Sequence, residues 1–294
     1  MGKNIWILHH YADPPDGHWT GTFDLYKLLV KKGHRVTIVS SSFSHYSREE
    51  TRLEKGVNYR EQDYEGVRVV FVRTTPYARN DWRRLLNMVL YGLRATLWGR
   101  RQKERPDIIV TATPHPFCSY AALRLAKKFR VPLLLELHDL WLEYLLDTRM
   151  VAKANPAYRL IRRLETSCYD YARRILMLWP RMDLYLAQYG VPREKIVWTP
   201  LGIDFESLEP IAPKGPIDNQ PFIVMCTGSF GPASNVWEIV ECAKILRSQG
   251  HDRIRFSLVG GGPEKEKLVK FTEDNRLANV EFRGIVAKEQ IRKC

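Results

Sequence analysis

The 294-residue chain is 45% hydrophobic and 27% charged, an ordinary globular composition with length enough for two domains. No run approaches the ~18–20 apolar residues of a membrane span, and the five cysteines form no CxxC pair, which argues against zinc and a disulfide framework and fits a reducing cytoplasm. The formal net charge of +13 favours an anionic partner: nucleic acid, an acidic lipid surface or a phosphorylated substrate.

From the N-terminus onward, strand-like and helix-like runs alternate, the pattern of parallel α/β sheets. The opening MGKNIWILHH turns polar within about ten residues and offers no signal-peptide cleavage region. Strands are expected at 4–9, 35–41, 67–73, 107–111, 132–137, 174–178 and 195–198, and helices at 21–32, 81–104, 116–129, 156–173 and 181–189. Residues 42–66 are polar and irregular and read as one long loop. Residues 201–221, with four prolines and little periodicity, read as a linker between a first domain at 1–200 and a second at 222–294. In the second domain the expected elements are a strand at 222–227, a helix at 234–249, a strand at 254–259, a helix at 264–274 and a strand at 279–283. A helix then starts at 287, so the sheet is expected to be incomplete.

Four segments carry candidate chemistry. The loop after the opening strand holds His9, His10, Gly17, His18 and Gly21, and ligands of open α/β sheets bind at such carboxyl ends. It is no GxGxxG fingerprint, because Gly17 and Gly21 stand too far apart with His18 and Trp19 between them. Its three histidines invite a metal, but they lack a recognised zinc spacing, and no metal is expected. After the strand at 132–137 comes Glu136–Leu137–His138–Asp139, where a histidine can bond a sugar hydroxyl or relay a proton, or can cap the next segment.

Two strand–glycine–helix units follow. One carries Gly228, Ser229 and Asn235, and the other carries Gly260, Gly261 and Gly262 ahead of Pro263. Backbone N–H groups at such turns suit the phosphates of a nucleotide, although ordinary βα turns are also rich in glycine. Neither a DxD pair nor a P-loop is present.

Beyond these four, one segment is notably basic. In 79–105, Trp82, Leu85, Leu86, Val89, Leu93 and Leu97 recur at helical spacing, with Arg83, Arg84, Arg94 and Arg101 largely on the other side. The stripe is expected to face the domain core, leaving the arginines solvated. The alternative is a helix lying on an anionic bilayer. Residues 149–174 are basic as well. A nucleic-acid partner is not expected, since neither a recognition helix nor an RNA-binding motif is evident.

Taken in order, several of these segments resemble glycosyltransferase family 4. They are the Pro–Pro–Asp–Gly loop, Lys32–Gly33–His34–Arg35–Val36–Thr37, His138–Asp139, Val191–Pro192–Arg193–Glu194–Lys195–Ile196, Pro200–Leu201–Gly202–Ile203–Asp204, Gly228–Ser229–Phe230–Gly231 and Val259–Gly260–Gly261–Gly262–Pro263. The resemblance spans nearly the whole chain and is nearest to the bacterial branch that builds capsule, O-antigen or colanic-acid-type polysaccharide. It implies an α/β GT-B fold, two Rossmann-like parallel-sheet domains facing a cleft, the second incomplete.

It also implies a retaining, metal-independent transfer of sugar from a nucleotide-diphosphate donor to a lipid-linked oligosaccharide. No cofactor is implied beyond that co-substrate. The enzyme would work in the cytoplasm, peripheral to the anionic cytoplasmic face of the inner membrane. His138 would contact the transferred sugar as the catalytic residue, supported by His18 and Asp139. Gly17, Gly21, Gly228, Ser229, Asn235, Gly260, Gly261 and Gly262 would bind the donor. Family members continue into a paired-glutamate motif, so the resemblance also implies a C-terminal truncation. The alternative is a non-catalytic scaffold of the same fold.

Overall fold

The computed structural model describes residues 2–14, 22–45, 47–79, 81–113, 115–202, 220–286 and 291. The chain divides into two compact units, Met1–Leu208 and Glu209–Cys294.

Unit 1 runs β1 (Asn4–Leu8), α1 (Thr22–Lys31), β2 (Arg35–Ser41), β3 (Tyr59–Tyr64), β4 (Val67–Val72), α2 (Trp82–Arg101), β5 (Ile108–Thr113), α3 (Pro116–Phe129), β6 (Leu133–Leu137), α4 (Trp141–Asp147), α5 (Pro156–Tyr171), β7 (Arg174–Met177), α6 (Met182–Ala187) and β8 (Ile196–Trp198). The strands form one sheet in the order β3-β4-β2-β1-β5-β6-β7-β8, parallel except for the β3–β4 pair. Both faces are covered, as a parallel sheet requires. Trp6 and Leu8 point into the core shared with α2, α3 and α5, while Ile5 and Ile7 point into the core shared with α1. The chain leaves β1 toward β2 and returns on the other side at β5, so the strand order reverses between β1 and β5. That switch is where a doubly wound sheet opens a crevice.

Local signals account for most of these elements. Asn155 caps α5 by accepting from the Ala157 N–H at 2.9 Å, with Pro156 in the first turn. Asp81 caps α2 in the same way through the Arg83 N–H.

Three expectations need correction. The polar stretch 42–66 is not all loop, because it contains β3, an edge strand joined to β4 by Glu65 and Gly66, both at positive φ. Its sequence, YREQDY, lacks alternation because it is exposed along most of its length, and backbone pairing with β4 rather than side-chain burial holds it. The helix α4 was not anticipated. The apolar stripe of α2 does not face the core. Asn87, Met88, Tyr91, Gly92, Ala95, Trp98 and Gly99 take the inner side.

Unit 2 runs β9 (Phe222–Ser229), α7 (Val236–Ser248), β10 (Ile254–Gly261), α8 (Lys265–Asp274) and β11 (Val280–Gly284). Its three strands are parallel in the order β11-β10-β9, over a small core of Phe230, Val236, Val240, Leu258 and Leu268.

Candidate active site

The residues just beyond the carboxyl ends of β1, β5 and β6 are rich in histidine, and they meet at the switch. His10 Nδ1 lies 2.5 Å from His115 Nε2. His115 is the N-cap of α3, and its Nδ1 accepts the Cys118 N–H at 3.3 Å. That bond assigns the His115 proton to Nε2, which donates to His10 Nδ1 and leaves His10 protonated on Nε2. Near His10, whose Nε2 finds no hydrogen-bond partner among the described residues, lies the Asn87 side chain. It is oriented by donating to Thr74 Oγ1 at 2.9 Å and to the Thr75 carbonyl at 2.6 Å.

His10 also sits inside a column of rings. Tyr91 stacks on one side at 4.3 Å and Tyr11 on the other at 4.4 Å, and His45 continues the stack from Tyr11 at 4.6 Å. The Tyr91 hydroxyl donates to the Val39 carbonyl at 2.6 Å, which ties α2 to β2. Burial, reinforced by His115 and His45, holds the His10 pKa well below its ordinary value. Burial and the nearby Arg84 push His115 down to about 3. This group is therefore neutral, fully packed and built as a support.

The open part of the site lies beside it. His138 follows β6 and is half-buried, with Nε2 3.4 Å from Glu136 Oε2 two residues earlier on the same side of the strand. The His9 ring meets His138 edge to face at 5.9 Å. Burial, with a contribution from His138, lowers the His9 pKa to about 3, so His9 stays neutral beside its neighbour. The exposed Trp179, just past β7, donates its indole N–H to the His138 carbonyl at 3.1 Å. Asp139 is exposed and opens the turn into α4.

That helix is held from behind by Arg162 of α5. The guanidinium reaches Glu143 at 2.5 Å and also binds Glu165 and the Tyr185 hydroxyl, while Tyr189 packs its ring against the cation at 4.8 Å. A half-buried imidazole with a carboxylate behind it and a fixed backbone is suited to bonding a hydroxyl or to holding a proton.

In unit 2 the expected residues converge on one turn. Gly228 pairs with Gly260 and Ser229 with Gly261 in the β9–β10 register. Gly260 (φ +148°) has no room for a side chain, since a Cβ there would lie 1.8 Å from the Gly228 carbonyl oxygen. At Gly262 (φ +155°) a Cβ would lie 2.5 Å from the Phe230 carbonyl oxygen. Phe230 is fully buried and threads the turn, donating its N–H to the Gly261 carbonyl at 2.8 Å and accepting from the Glu264 N–H at 3.0 Å. The Lys265 N–H is bonded to the Gly262 carbonyl at 3.1 Å. Two of the N–H groups at the opening of α8 are thus spent within the turn. Asn235 precedes α7 in the left-handed region (φ 43°) and its side chain makes no capping bond.

His138, Asp139 and the unit 2 residues are therefore placed, whereas Gly17, His18 and Gly21 lie outside the described residues. Sequence reasoning missed His115 and Trp179. Each stands within two residues of a strand's carboxyl end, which is the signal that could have found it. Among the described residues, no group of three or more His, Cys, Asp or Glu side chains could hold a metal ion.

A family model described as a glycosyl transferase 4-like domain matches residues 16–202. No curated protein matches the chain in sequence. The fold is similar to sucrose-phosphate synthase from Thermosynechococcus elongatus, with a TM-score of 0.66 at 13% identity over 98% of this chain and 72% of that one. It is similar also to Anabaena HepE in complex with UDP, with a TM-score of 0.60 at 15% identity over 98% and 71%. The lipopolysaccharide outer core galactosyltransferase WaaB gives 0.54 at 11% identity over 99% and 71%. At these identities the likeness establishes the fold, two Rossmann-like units of the GT-B class.

Proposed function

The chain belongs to the glycosyl transferase 4-like family and is a glycosyltransferase, and we propose that it moves a sugar from a nucleotide-diphosphate donor to a lipid-linked glycan, with retention and without a metal ion. The reaction would serve cell-surface polysaccharide synthesis on the cytoplasmic face of the inner membrane. The observation that carries this reading is His138, held at the carboxyl end of β6 against Glu136 and His9 beside the strand-order switch.

Glu136 favours the tautomer with the proton on Nε2, and this leaves Nδ1 to accept a hydroxyl of the transferred sugar. The neutral His9 places no positive charge beside that imidazole. As the glycosidic bond breaks, charge builds on the departing diphosphate and must be met by donors. No cation stands between Ser229 and Asn235, and the next in the chain is Lys244. Stabilisation of the diphosphate then falls to Ser229, the Asn235 amide and the backbone of the two glycine turns. A UDP complex of similar fold and a galactosyltransferase of lipopolysaccharide core support the donor class and the setting.

The test is turnover with a panel of UDP-, GDP- and dTDP-sugars and a lipid extract as acceptor, with and without EDTA. One donor is expected to turn over at a rate that EDTA leaves unchanged, and His138→Ala should lower kcat by about 100-fold with folding intact. Turnover of no donor, or an unchanged rate in His138→Ala, would overturn the assignment. Loss of activity in EDTA would overturn its metal-independent part.

A further inference from the structure

The outer face of α2 leaves a row of large apolar side chains exposed. Trp82, Leu85, Leu86, Leu93 and Leu97 are 67, 42, 38, 56 and 53% exposed, on one side of a helix about 30 Å long. Large side chains aligned like this on a surface mark an interaction site, whereas scattered ones do not.

The exposure cannot be relieved by rolling the helix. On its inner side Tyr91 is fully buried and bonded to Val39, Trp98 packs at a tilt against Trp6 with ring centres 5.1 Å apart, and Asn87 is bonded to Thr74. Small residues bring this side close to α3. A Cβ at Gly92 would lie 2.9 Å from the Phe117 carbonyl oxygen, and one at Gly99 would lie 2.6 Å from Leu125 Cδ1. Any other register would drive bulk into α3 and strand three buried polar or aromatic groups. The leucines are outward because the glycines are inward.

Charge selects the occupant. From Trp82 to Arg101 the helix contains no acidic residue, and the exposed Arg83, Arg100 and Arg101 border the stripe. The positive border continues past the helix end. Lys128 Nζ donates to the Arg100 carbonyl at 2.5 Å, and the exposed Lys127 and Arg130 stand nearby at the end of α3. Two copies of such a face would oppose arginine to arginine. An acidic lipid surface offers an apolar layer beneath a layer of negative charge, which matches a leucine stripe edged by guanidinium groups.

We propose that the outward face of α2 lies on an anionic bilayer, with the Trp82, Leu85, Leu86, Leu93 and Leu97 side chains in the interface and Arg83, Arg100 and Arg101 on lipid phosphates. The choice of a bilayer rests on the lipid-linked acceptor proposed above. Docked in this way, unit 1 takes its acceptor from the surface it lies on.

Co-sedimentation with phosphatidylcholine vesicles, with or without phosphatidylglycerol, tests the proposal. The wild-type chain should bind the anionic vesicles at least about tenfold more strongly than the neutral ones, and added salt should weaken that preference. Leu93→Gln with Leu97→Gln should cut binding by about tenfold or more, as should Trp82→Ser in a separate variant. Arg83→Gln, Arg100→Gln and Arg101→Gln together should abolish the preference for anionic vesicles and leave neutral binding as it was.

Wild-type binding in the leucine and tryptophan variants would overturn the proposal. So would a dimer in sedimentation equilibrium that Leu93→Gln with Leu97→Gln splits while vesicle binding persists, since the face would then belong to a second copy. Hydrolysis of UDP-glucose in the absence of lipid reports separately on the transfer reading. A chain that docks through α2 yet turns over no nucleotide sugar supports the docking face and removes the reaction.

Discussion

Beyond β1, β5 and β6 of unit 1 stand His9, His10, His115 and His138, packed among tyrosines, whereas at the carboxyl ends of β9 and β10 of unit 2 stand Gly228, Gly260 and Gly262. Both sets occupy the position where α/β sheets bind ligands. One end is furnished with side chains whose protonation matters. The other is stripped to backbone so that two strand ends can touch. The first kind of end is vulnerable to a proton, the second to a methyl group, and each vulnerability can be tested against the other.

The largest effect should come from acid. His9 and His115 have folded pKa values of about 3, and His10 is also held well below the ordinary value, in each case first by burial. In the unfolded chain these histidines titrate near 6.5, so the unfolded state binds more protons below that pH. Their contribution is therefore complete above about pH 6.5 and is lost as pH falls toward about 3. His9 and His115 each cost about 1.4 kcal/mol per pH unit in that window, about 3 kcal/mol together, and His10 acts in the same direction. Two such units are comparable with the whole stability of a typical domain. The one histidine of unit 2, His251, is exposed. Hydrogen exchange followed from pH 8 to pH 4 should show β1, β5 and β6 losing protection while β9 and β10 keep theirs. Simultaneous loss in both units, or a slope of less than one proton, would erase the contrast.

Volume should act on the other unit. Gly260→Ala places a methyl group on the Gly228 carbonyl and holds alanine at φ +148°, and Gly262→Ala meets the backbone of Phe230. Each should cost about 3 kcal/mol or more, as overpacking and backbone strain add. Gly261→Ala is the internal control. Its Cβ would stand 3.4 Å from the Ile285 side chain with no positive φ, and the cost should stay below about 1 kcal/mol. Denaturant melts read by exchange at β9 and β10 would separate the three, and equal costs would mean that the turn relaxes freely around any residue.

The same division explains what could be read from the chain. Buried parallel strands such as Arg35–Ser41 announce themselves by apolar runs, and most strand positions follow from that signal alone. The edge strand β3 carried no such signal, and only the Glu65–Gly66 turn ahead of Val67 pointed to it. Periodicity identified the apolar stripe of α2 but could not tell which side of the helix faced inward. Gly92, Ala95 and Gly99 decide that through close packing, a property of the pair α2–α3 and not of α2 by itself. His138 was legible because it directly follows a strand. The bond between His10 and His115, 105 residues apart, was not, since only the sheet order brings β1 beside β5.

The smallest effect falls on a single hydrogen bond and bears on the side-chain half of the comparison. If the unit 1 site works through positioned side chains, the backbone that carries His138 must be fixed, and Trp179 is the group that fixes it. Trp179→Phe keeps most of the ring and removes the N–H donor, at a cost of about 1 kcal/mol. Spent on positioning in the transition state, that cost lowers kcat about fivefold with little change in KM. Trp198 makes the corresponding bond to the Leu178 carbonyl, one step away from the imidazole, so Trp198→Phe should leave kcat within about twofold. Trp179→Ala removes the exposed ring as well, and any further rise in KM then measures contact between that ring and a substrate. Equal kcat values for Trp179→Phe and the wild type would mean that His138 is held through its side chain, by Glu136 and His9 among others, and the positioning role would pass from the backbone to the carboxylate behind the ring.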